Sequence, residues 1–317
     1  MKFKLFVIIF IGIYTFALAD NSFMKICKNP NQSDLKTLIA IKKFIFNGYD
    51  PNRYKEAFIS RDCQDLNQFL STTKSISLSG RDLEDVSILQ HFPNLQRVTL
   101  HGNKIKDLTQ LTKISNLQDL DISNNPVTDF TPLTSLKKLE SLAINNESIT
   151  DITALGQIKS LKSLRIYSDG ITDITPFSNL TNLEDLLINS VNVSNVCGLN
   201  KLTKLKILNI GNCEKVSDIS CLKDLKQLEE LDITSTKIKK IDVAKNYKNL
   251  VSFSGCDSLR DMSPLVGLQK LEYANAYSAN LMECSPSRIE EVRAGKHCTN
   301  EDYANLNKPW WKKVLGL

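Results

Sequence analysis

Residues 117–138 read LQDLDISNNPVTDFTPLTSLKK, and residues 139–160 return nearly the same apolar letters as LESLAINNESITDITALGQIKS. If the first apolar letter of such a unit is position one, most steps between units are 22 residues, with 23 after Leu205 and 21 after Leu250. A register kept over ten units predicts a repeat architecture, whose core grows with the number of units. The units begin at Thr73, Leu95, Leu117, Leu139, Leu161, Leu183, Leu205, Leu228, Leu250 and Leu271.

Within each unit, positions four and six are apolar with one residue between them, as in Leu120 and Ile122. This alternation predicts a short strand whose two apolar side chains share one face. Positions 11, 14, 17 and 20 are also mostly apolar, which indicates a return segment over the same core. One unit cannot bury its apolar side alone, so successive units are expected to stack with their strands about 4.8 Å apart.

The pattern LxxLxLxxNxIxDIxPLxxLxx resembles the leucine-rich repeat. The 22-residue period and the segments at 129–133 and 173–177 resemble the internalin-type subclass of bacterial leucine-rich repeats. The resemblance covers residues 73 to about 290. It implies an α/β solenoid in the form of a horseshoe, with parallel strands on the concave face and 3₁₀ or irregular segments on the convex face. It also implies a binding module, because the best-known members are bacterial surface or secreted proteins that bind host receptors.

Position nine is where this chain departs from the family pattern. An Asn at that position normally bonds backbone groups of the turn, and Asn103 and Asn125 fit. Later units carry other residues there, so we expect looser turns in the second half of the chain, with neighbours such as Asn146 and Asn212 as substitutes.

The start of the chain has the form of a secretory signal peptide. Lys2 and Lys4 precede an apolar run, and residues 17–19 (Ala-Leu-Ala) form a small-x-small cleavage site. We therefore expect residues 1–19 to be removed and the protein to be secreted, periplasmic or held in the cell envelope. The alternative is a membrane anchor, but the run is shorter than the ~20 residues of a span, so firm membrane insertion is not expected.

Three further segments follow. Residues 20–72 suit a helical N-terminal cap, residues 73–292 hold about ten repeats, and residues 293–317 suit a C-terminal cap and tail. An open solenoid exposes apolar core at its ends and needs such caps. We expect Ser33 or Asp34 to N-cap a helix that carries Leu35, Leu38, Ile39, Ile41 and Ile45, and a second helix through residues 54–59. A separate helical domain is the alternative to a cap.

Eight cysteines in an exported chain indicate disulfide bonds, since that compartment is oxidising. The spacing predicts three pairs: Cys27 with Cys63, Cys197 with Cys221, and Cys284 with Cys298. Cys197 and Cys221 occupy nearly equivalent positions of adjacent units, within the separation that a disulfide spans. Cys213 and Cys256 lie two units apart, which is too far, so we expect both to stay free, one buried and one on the concave face.

Charge and motifs argue against several functions. Removing residues 1–19 would leave 38 Lys and Arg against 35 Asp and Glu, a balance of +3 that is too small to indicate nucleic acid binding. The three histidines and the absence of G-x-S-x-G, H-E-x-x-H and P-loop motifs give no catalytic residue, no metal site and no cofactor. An unrecognised enzyme remains the least favoured hypothesis.

Position 13 carries an acidic residue in eight of the ten units, including Asp107, Asp173 and Glu283. A row of carboxylates is compatible with a cation such as Ca²⁺. The simpler interpretation, which we favour, is that each Asp accepts hydrogen bonds from nearby backbone N–H groups in a turn.

The concave face is the expected binding surface, since positions three, five and seven of each strand point outward there. Most of these residues are small and polar, whereas interface hot spots favour Trp, Tyr and Arg. Six residues are therefore candidates for binding a protein partner of unknown identity. An alternative is a structural or carbohydrate-contacting envelope scaffold with no high-affinity receptor. The candidates are Arg97, His101, Arg165, Tyr167, Tyr273 and Tyr277.

Overall fold

Each of the first nine repeats folds as the periodicity predicts, with a short strand followed by a return segment, and the tenth is described as far as its strand. The computed structural model describes residues 21–45, 60–259 and 261–276. The described residues fall into two compact units, the first ending at Lys138 and the second beginning at Leu139. The second helix expected at 54–59 lies outside the described residues. So do residues 1–20 and the end of the chain from residue 277.

The first unit begins with helices and continues with three repeats. Its helices are α1 (Asn21–Lys28), α2 (Gln32–Ile45) and α3 (Ser60–Thr72), and its strands are β1 (Ser75–Ser77), β2 (Arg97–Thr99) and β3 (Asp119–Asp121). The strands pair in parallel in chain order. The 3₁₀ segments are Ser87–His91, Thr109–Lys113 and Thr131–Ser135.

The helices pack on the first repeat. The Thr37 hydroxyl donates a hydrogen bond to the Asp85 carbonyl at 2.9 Å. The rings of Phe23 and Phe92 meet edge-on with centroids 5.0 Å apart. The disulfide Cys27–Cys63 joins α1 to α3, a pairing that the spacing predicts.

Two details of the helical region differ from expectation. Helix α1 has no counterpart in the sequence prediction. In addition, α2 is capped by Asn31, whose Oδ1 accepts a hydrogen bond from the Asp34 N–H at 2.8 Å, so the cap is neither Ser33 nor Asp34. Leu35, expected among the apolar contacts, is 37% exposed, while Leu38 and Ile41 are buried.

The second unit contains seven strands, again parallel and paired in chain order. They are β4 (Ser141–Asn145), β5 (Ser163–Tyr167), β6 (Asp185–Asn189), β7 (Ile207–Asn209), β8 (Glu230–Asp232), β9 (Ser252–Gly255) and β10 (Tyr273–Ala276). The 3₁₀ segments between them are Leu155–Gln157, Thr175–Asn179, Cys197–Lys201, Ser220–Leu222, Asp242–Asn246 and Ser263–Leu265.

The core of this unit has the predicted alternation. In β5, Leu164 and Ile166 are fully buried, while Arg165 between them is exposed. The return segments bury their apolar positions too, as at Phe177. The disulfide Cys197–Cys221, also predicted from spacing, joins two adjacent return segments with Cα atoms 5.5 Å apart.

The turns after the strands take two forms. In one form, position eight has a positive φ, as at Asn124 and Asn212, and the residue at position nine turns into the core. Asn125 and Cys213 are such buried residues. In the other form, the strand is longer and the residue at position eight itself turns inward: the Ser168 hydroxyl donates to the Ile149 carbonyl at 3.0 Å.

The structure corrects the prediction that Asn146 and Asn212 replace the missing Asn of position nine. Asn212 is exposed and sits at the left-handed turn residue rather than in the ladder. Asn146 is half-buried, and its Oδ1 accepts the Ser148 N–H, a bond within its own turn. The buried serines Ser168 and Ser190 instead bond the carbonyls of the preceding repeat at 3.0 and 2.9 Å.

Cys256 does not face outward as expected. It is 1% exposed, and its Sγ lies 3.2 Å from the Ile238 carbonyl. The reason is the short step of 21 residues: with one residue fewer, Cys256 takes the inward place that Ser168 and Ser190 hold in their repeats. Both Cys213 and Cys256 are free and buried, and burial raises the pKa of the Cys213 thiol to about 11.

Candidate functional site

The described residues of the second unit form a sheet face built from positions three, five and seven of β4 to β8, positions three and five of β9, and Tyr273 of β10. We call it the exposed sheet face. The register aligns Arg165, Leu187 and Asn209 in one row, and Asp185, Ile207 and Glu230 in the row beside it. Because alternate side chains of a strand point to opposite faces, these rows lie opposite the buried leucines and isoleucines.

An apolar stripe crosses this face diagonally. It consists of Tyr167, Leu187 and Ile207, one residue from each of β5, β6 and β7. Leu187 lies two residues before Asn189, the register partner of Tyr167, and Ile207 lies two residues before Asn209, the register partner of Leu187. All three are half-buried. Diagonal neighbours on adjacent strands are roughly 7–8 Å apart, within reach of aromatic and long side chains. The register therefore places three partly exposed apolar side chains near one another on this face.

Polar residues beside the stripe are held by bonds to each other. The Arg165 guanidinium lies 3.4 Å from the Asp185 carboxylate, which also accepts a hydrogen bond from the Ser163 hydroxyl at 3.0 Å. Farther along, the Asn209 amide donates to Asp232 at 3.0 Å. Such cross-strand bonds fix side chains before a partner arrives, which lowers the entropy lost on binding.

The exposed sheet face carries more negative than positive charge. Its described residues include three carboxylates, Asp185, Glu230 and Asp232, against the one guanidinium of Arg165, a formal balance of −2. The chain as a whole has a balance of +5, so this face is opposite in sign to the rest of the protein. A face of one sign attracts partners of the opposite sign, which speeds association and selects among partners.

Gly211 occupies position seven of its repeat, where there is no room for a side chain. A Cβ atom there would come within 2.7 Å of the Thr234 hydroxyl and 3.1 Å of the Asn209 Oδ1. Those groups are already bonded, since Thr234 donates to Asp232 and the Gly211 N–H donates to Asn209. Glycine at this position therefore lets the Thr234 and Asn209 side chains pack directly over the backbone.

The six candidates from the sequence lie in different places. Arg97 and His101 belong to the first unit, where Arg97 pairs with Asp119 at 3.1 Å and His101 lies 3.4 Å from the Asn124 amide. Arg165 and Tyr167 lie on the exposed sheet face. Tyr273, on β10 at the far side of the same face, is 40% exposed.

Tyr277 and the pair Cys284 and Cys298 lie outside the described residues. The sequence search for hot spots did not select Leu187 or Ile207, because it looked for Tyr and Arg. Both residues could have been found from the sequence as apolar residues at outward-facing strand positions.

The acidic residues at position 13 stabilise turns by accepting backbone hydrogen bonds. Asp107, Asp173 and Asp218 each accept a hydrogen bond from the backbone N–H two residues on, at 2.7–2.8 Å. Asn195, which replaces Asp in its repeat, accepts the Cys197 N–H at 2.8 Å in the same way. Within the described ranges, no group of three or more His, Cys, Asp or Glu side chains could hold a metal ion.

These bonds lower the pKa values of the aspartates. At Asp173 the Thr175 hydroxyl and then its backbone N–H hold the pKa of the carboxyl below its ordinary value of 3.8. At Asp218 the Ser220 N–H and then its hydroxyl do the same. A carboxyl whose folded pKa is lowered adds stability above its unfolded pKa, and this stability is lost as the pH falls through the folded pKa.

We therefore expect the melting temperature to fall with acidification below about pH 4, and substitution of these aspartates by Asn to weaken that dependence. A variant with Asn at positions 107, 129, 151, 173 and 218 keeps the backbone bonds, as Asn195 does, and should melt near the wild-type temperature at pH 7. Melting curves from pH 7 to about pH 2.5 test this. An unchanged acid dependence would show that other carboxyls control it.

Comparisons with known proteins agree with this geometry. The family model for two copies of leucine-rich repeats matches residues 115–157. The crystal structure of internalin C2 from Listeria monocytogenes is 21% identical, with a TM-score of 0.51, and the match covers 80% of this chain and 96% of that one. No curated protein sequence matches the chain significantly.

A plant receptor shares the fold as well. The Arabidopsis receptor kinase HAESA, solved in complex with the peptide hormone IDA and the co-receptor SERK1, is 25% identical with a TM-score of 0.55. The match covers 66% of this chain and 38% of that chain.

These findings identify the repeats of this chain as leucine-rich repeats in an α/β solenoid. The solenoid fold predicted from the sequence is confirmed, and it is the fold of internalin C2. Among the described residues, no helix is long and apolar enough to cross a bilayer.

Proposed function

We propose that this chain is a secreted or envelope protein that binds a protein partner through the exposed sheet face, without catalysing a reaction. The observation that supports this most directly is the apolar stripe of Tyr167, Leu187 and Ile207 between charged and amide side chains. Interface hot spots combine an apolar centre with a polar rim that excludes water. The fold is one that serves other proteins as a binding scaffold, as in the HAESA complex.

The side chains of the exposed sheet face also indicate which residues the partner presents. The apolar stripe suits a leucine, methionine or aromatic side chain. Glu230 is exposed beside Ile207, and together with Asp232 it suits a Lys or Arg of the partner. The partner therefore presents an apolar residue next to a basic one. In the first unit, Arg97 and His101 are proposed as further contacts, as is Tyr273 on β10 of the second unit.

The test compares two variants that each replace two half-buried apolar residues with serine. Leu187→Ser with Ile207→Ser removes the centre of the stripe. Val191→Ser with Val251→Ser removes two half-buried valines at positions outside the strand rows of the face. Proteins captured from surface and extracellular extracts are identified by mass spectrometry, and binding of each is then measured with purified components.

We expect the stripe variant to lose about 2 kcal/mol or more of binding free energy, a loss of thirtyfold or more in affinity. The valine variant should bind as the wild type does, and binding should weaken at high salt because Glu230 and Asp232 take part. A partner held equally by both variants would contradict the assignment to this face. If no protein partner is found, the scaffold hypothesis becomes the better account.

A further inference from the structure

A second surface of the second unit carries charge of the opposite sign. Three successive repeats contain Lys-x-x-Lys where the 3₁₀ segment ends and the next strand is approached. We call these six residues the lysine block. They are Lys201, Lys204, Lys223, Lys226, Lys245 and Lys248, and all are exposed.

The block is compact. Cys197 and Cys221 join the first two return segments with Cα atoms 5.5 Å apart, so three repeats span about 11 Å, twice that spacing. Lys201 ends the segment Cys197–Lys201, and Lys245 lies within Asp242–Asn246. The second lysine of each pair follows the 3₁₀ segment, on the approach to the next strand.

The ammonium groups of the block differ from those of neighbouring lysines in their contacts with carboxylates. In the described part of the chain, none of the six lysines forms a salt bridge, although Lys204 donates a hydrogen bond to Asn182 at 2.8 Å. Lysines on the nearby strand edge behave differently: Lys162 pairs with Glu140 at 2.9 Å and Lys206 with Glu184 at 2.7 Å. Asp224 is the one carboxylate inside the Lys-x-x-Lys segments.

Unpaired like charges at this spacing repel one another, and the repulsion is relieved when an anion binds. A neighbouring repeat shows that the fold accepts neutral residues at the places of Lys223, Lys226, Lys245 and Lys248, since Ser178 and Thr181 stand there in the repeat that begins at Leu161. The concentration of lysine in three consecutive repeats is thus not required by the solenoid. It points to a ligand with several regularly spaced negative groups.

The surroundings of the block indicate which polyanion fits. Proteins that bind single-stranded nucleic acid stack bases on exposed aromatic rings, but Tyr247, the aromatic residue between Lys245 and Lys248, is buried with its hydroxyl bonded to the Leu222 carbonyl at 3.1 Å. Arginine, the preferred residue for bidentate phosphate contacts, does not occur in the block.

Membrane surfaces are bound by basic residues together with apolar side chains that insert. The exposed large apolar residues of the described chain are Leu35, Phe44, Phe69 and Tyr273, and none lies in the block. We infer that the lysine block binds an acidic polysaccharide, one that carries sulfate or carboxylate groups along an extended chain. This site is separate from the exposed sheet face and does not depend on it.

The experiment measures binding of the whole protein to immobilised heparin as the sulfated probe and to a polyuronate as the carboxylated one. A block variant replaces Lys223, Lys226, Lys245 and Lys248 with Gln. A control variant replaces Lys106, Lys113, Lys239 and Lys240 with Gln, so that both lose four positive charges. Each of these residues is exposed, so both variants should fold, which melting curves verify.

We expect the block variant to bind at least one of the two polysaccharides roughly thirtyfold more weakly, because four exposed charge contacts are lost. The control variant should change by less than about threefold, the residual effect of net charge. Equal losses in both variants, or no binding of either polysaccharide, would overturn the proposal. So would tighter, block-dependent binding to single-stranded DNA or to vesicles of anionic lipid.

Discussion

Replacing Ile166 with aspartate is expected to unfold the second unit at room temperature. Ile166 is fully buried in β5, between the paired strands β4 and β6. A carboxylate at this position would lie in the core without a cationic partner or water. The expected loss in the free energy of unfolding is about 4 kcal/mol or more, at the upper end of single substitutions. Circular dichroism and melting curves measure it.

The neighbouring positions provide the control. Arg165→Ala with Tyr167→Ala changes two residues on either side of Ile166 whose side chains lie on the exposed sheet face. Their removal should alter the melting temperature little, since the ion pair of Arg165 with Asp185 is partly solvated and contributes little. If the double variant unfolded while Ile166→Asp remained stable, the two faces of the strand would be reversed.

Replacing Asn103 with alanine is expected to destabilise the first unit by about 3 kcal/mol. The Asn103 Oδ1 accepts hydrogen bonds from the Arg81 and Leu83 N–H groups, both at 3.0 Å. Its Nδ2 donates to the carbonyls of Leu78 at 3.0 Å and Leu100 at 2.7 Å. Alanine would leave several of these buried backbone groups without a partner, and each such group costs about 1 kcal/mol or more.

Asn94→Ala is a matched control for this substitution. Asn94 is exposed, and its amide donates a single bond to the Ser71 carbonyl at 2.7 Å. Water can replace that bond, so a loss under about 1 kcal/mol is expected. Urea unfolding of both variants gives the comparison. Similar midpoints for the two would show that the buried Asn ladder contributes no more than a surface contact.

The sequence alone determined the features that depend on one repeat and its spacing. The 22-residue period predicts one strand for each repeat, because period-two alternation leaves two apolar side chains on one face. The pairing of Cys197 with Cys221 followed from their nearly equivalent positions in adjacent repeats. The turn role of Asp173 also followed, since an Asp side chain reaches the N–H two residues on without help from the rest of the fold.

Features that depend on contacts between repeats were decided by the tertiary structure. The inward turn of Cys256 arises because the 21-residue step moves it into the place that Ser168 holds in its own repeat, where a carbonyl of the preceding repeat accepts its bond. The Asn31 cap depends on where α2 begins, which propensity places only to within a few residues.

The two proposed binding surfaces also depend on contacts between repeats. Leu187 and Ile207 are ordinary outward positions when each repeat is considered by itself, and they join Tyr167 in a stripe only when the register of three strands is known. The lysine block likewise needs the stacking of three return segments, fixed in part by the Cys197–Cys221 bond. A sequence specifies the direction of each side chain within its strand, whereas packing against other repeats decides which side chains become neighbours.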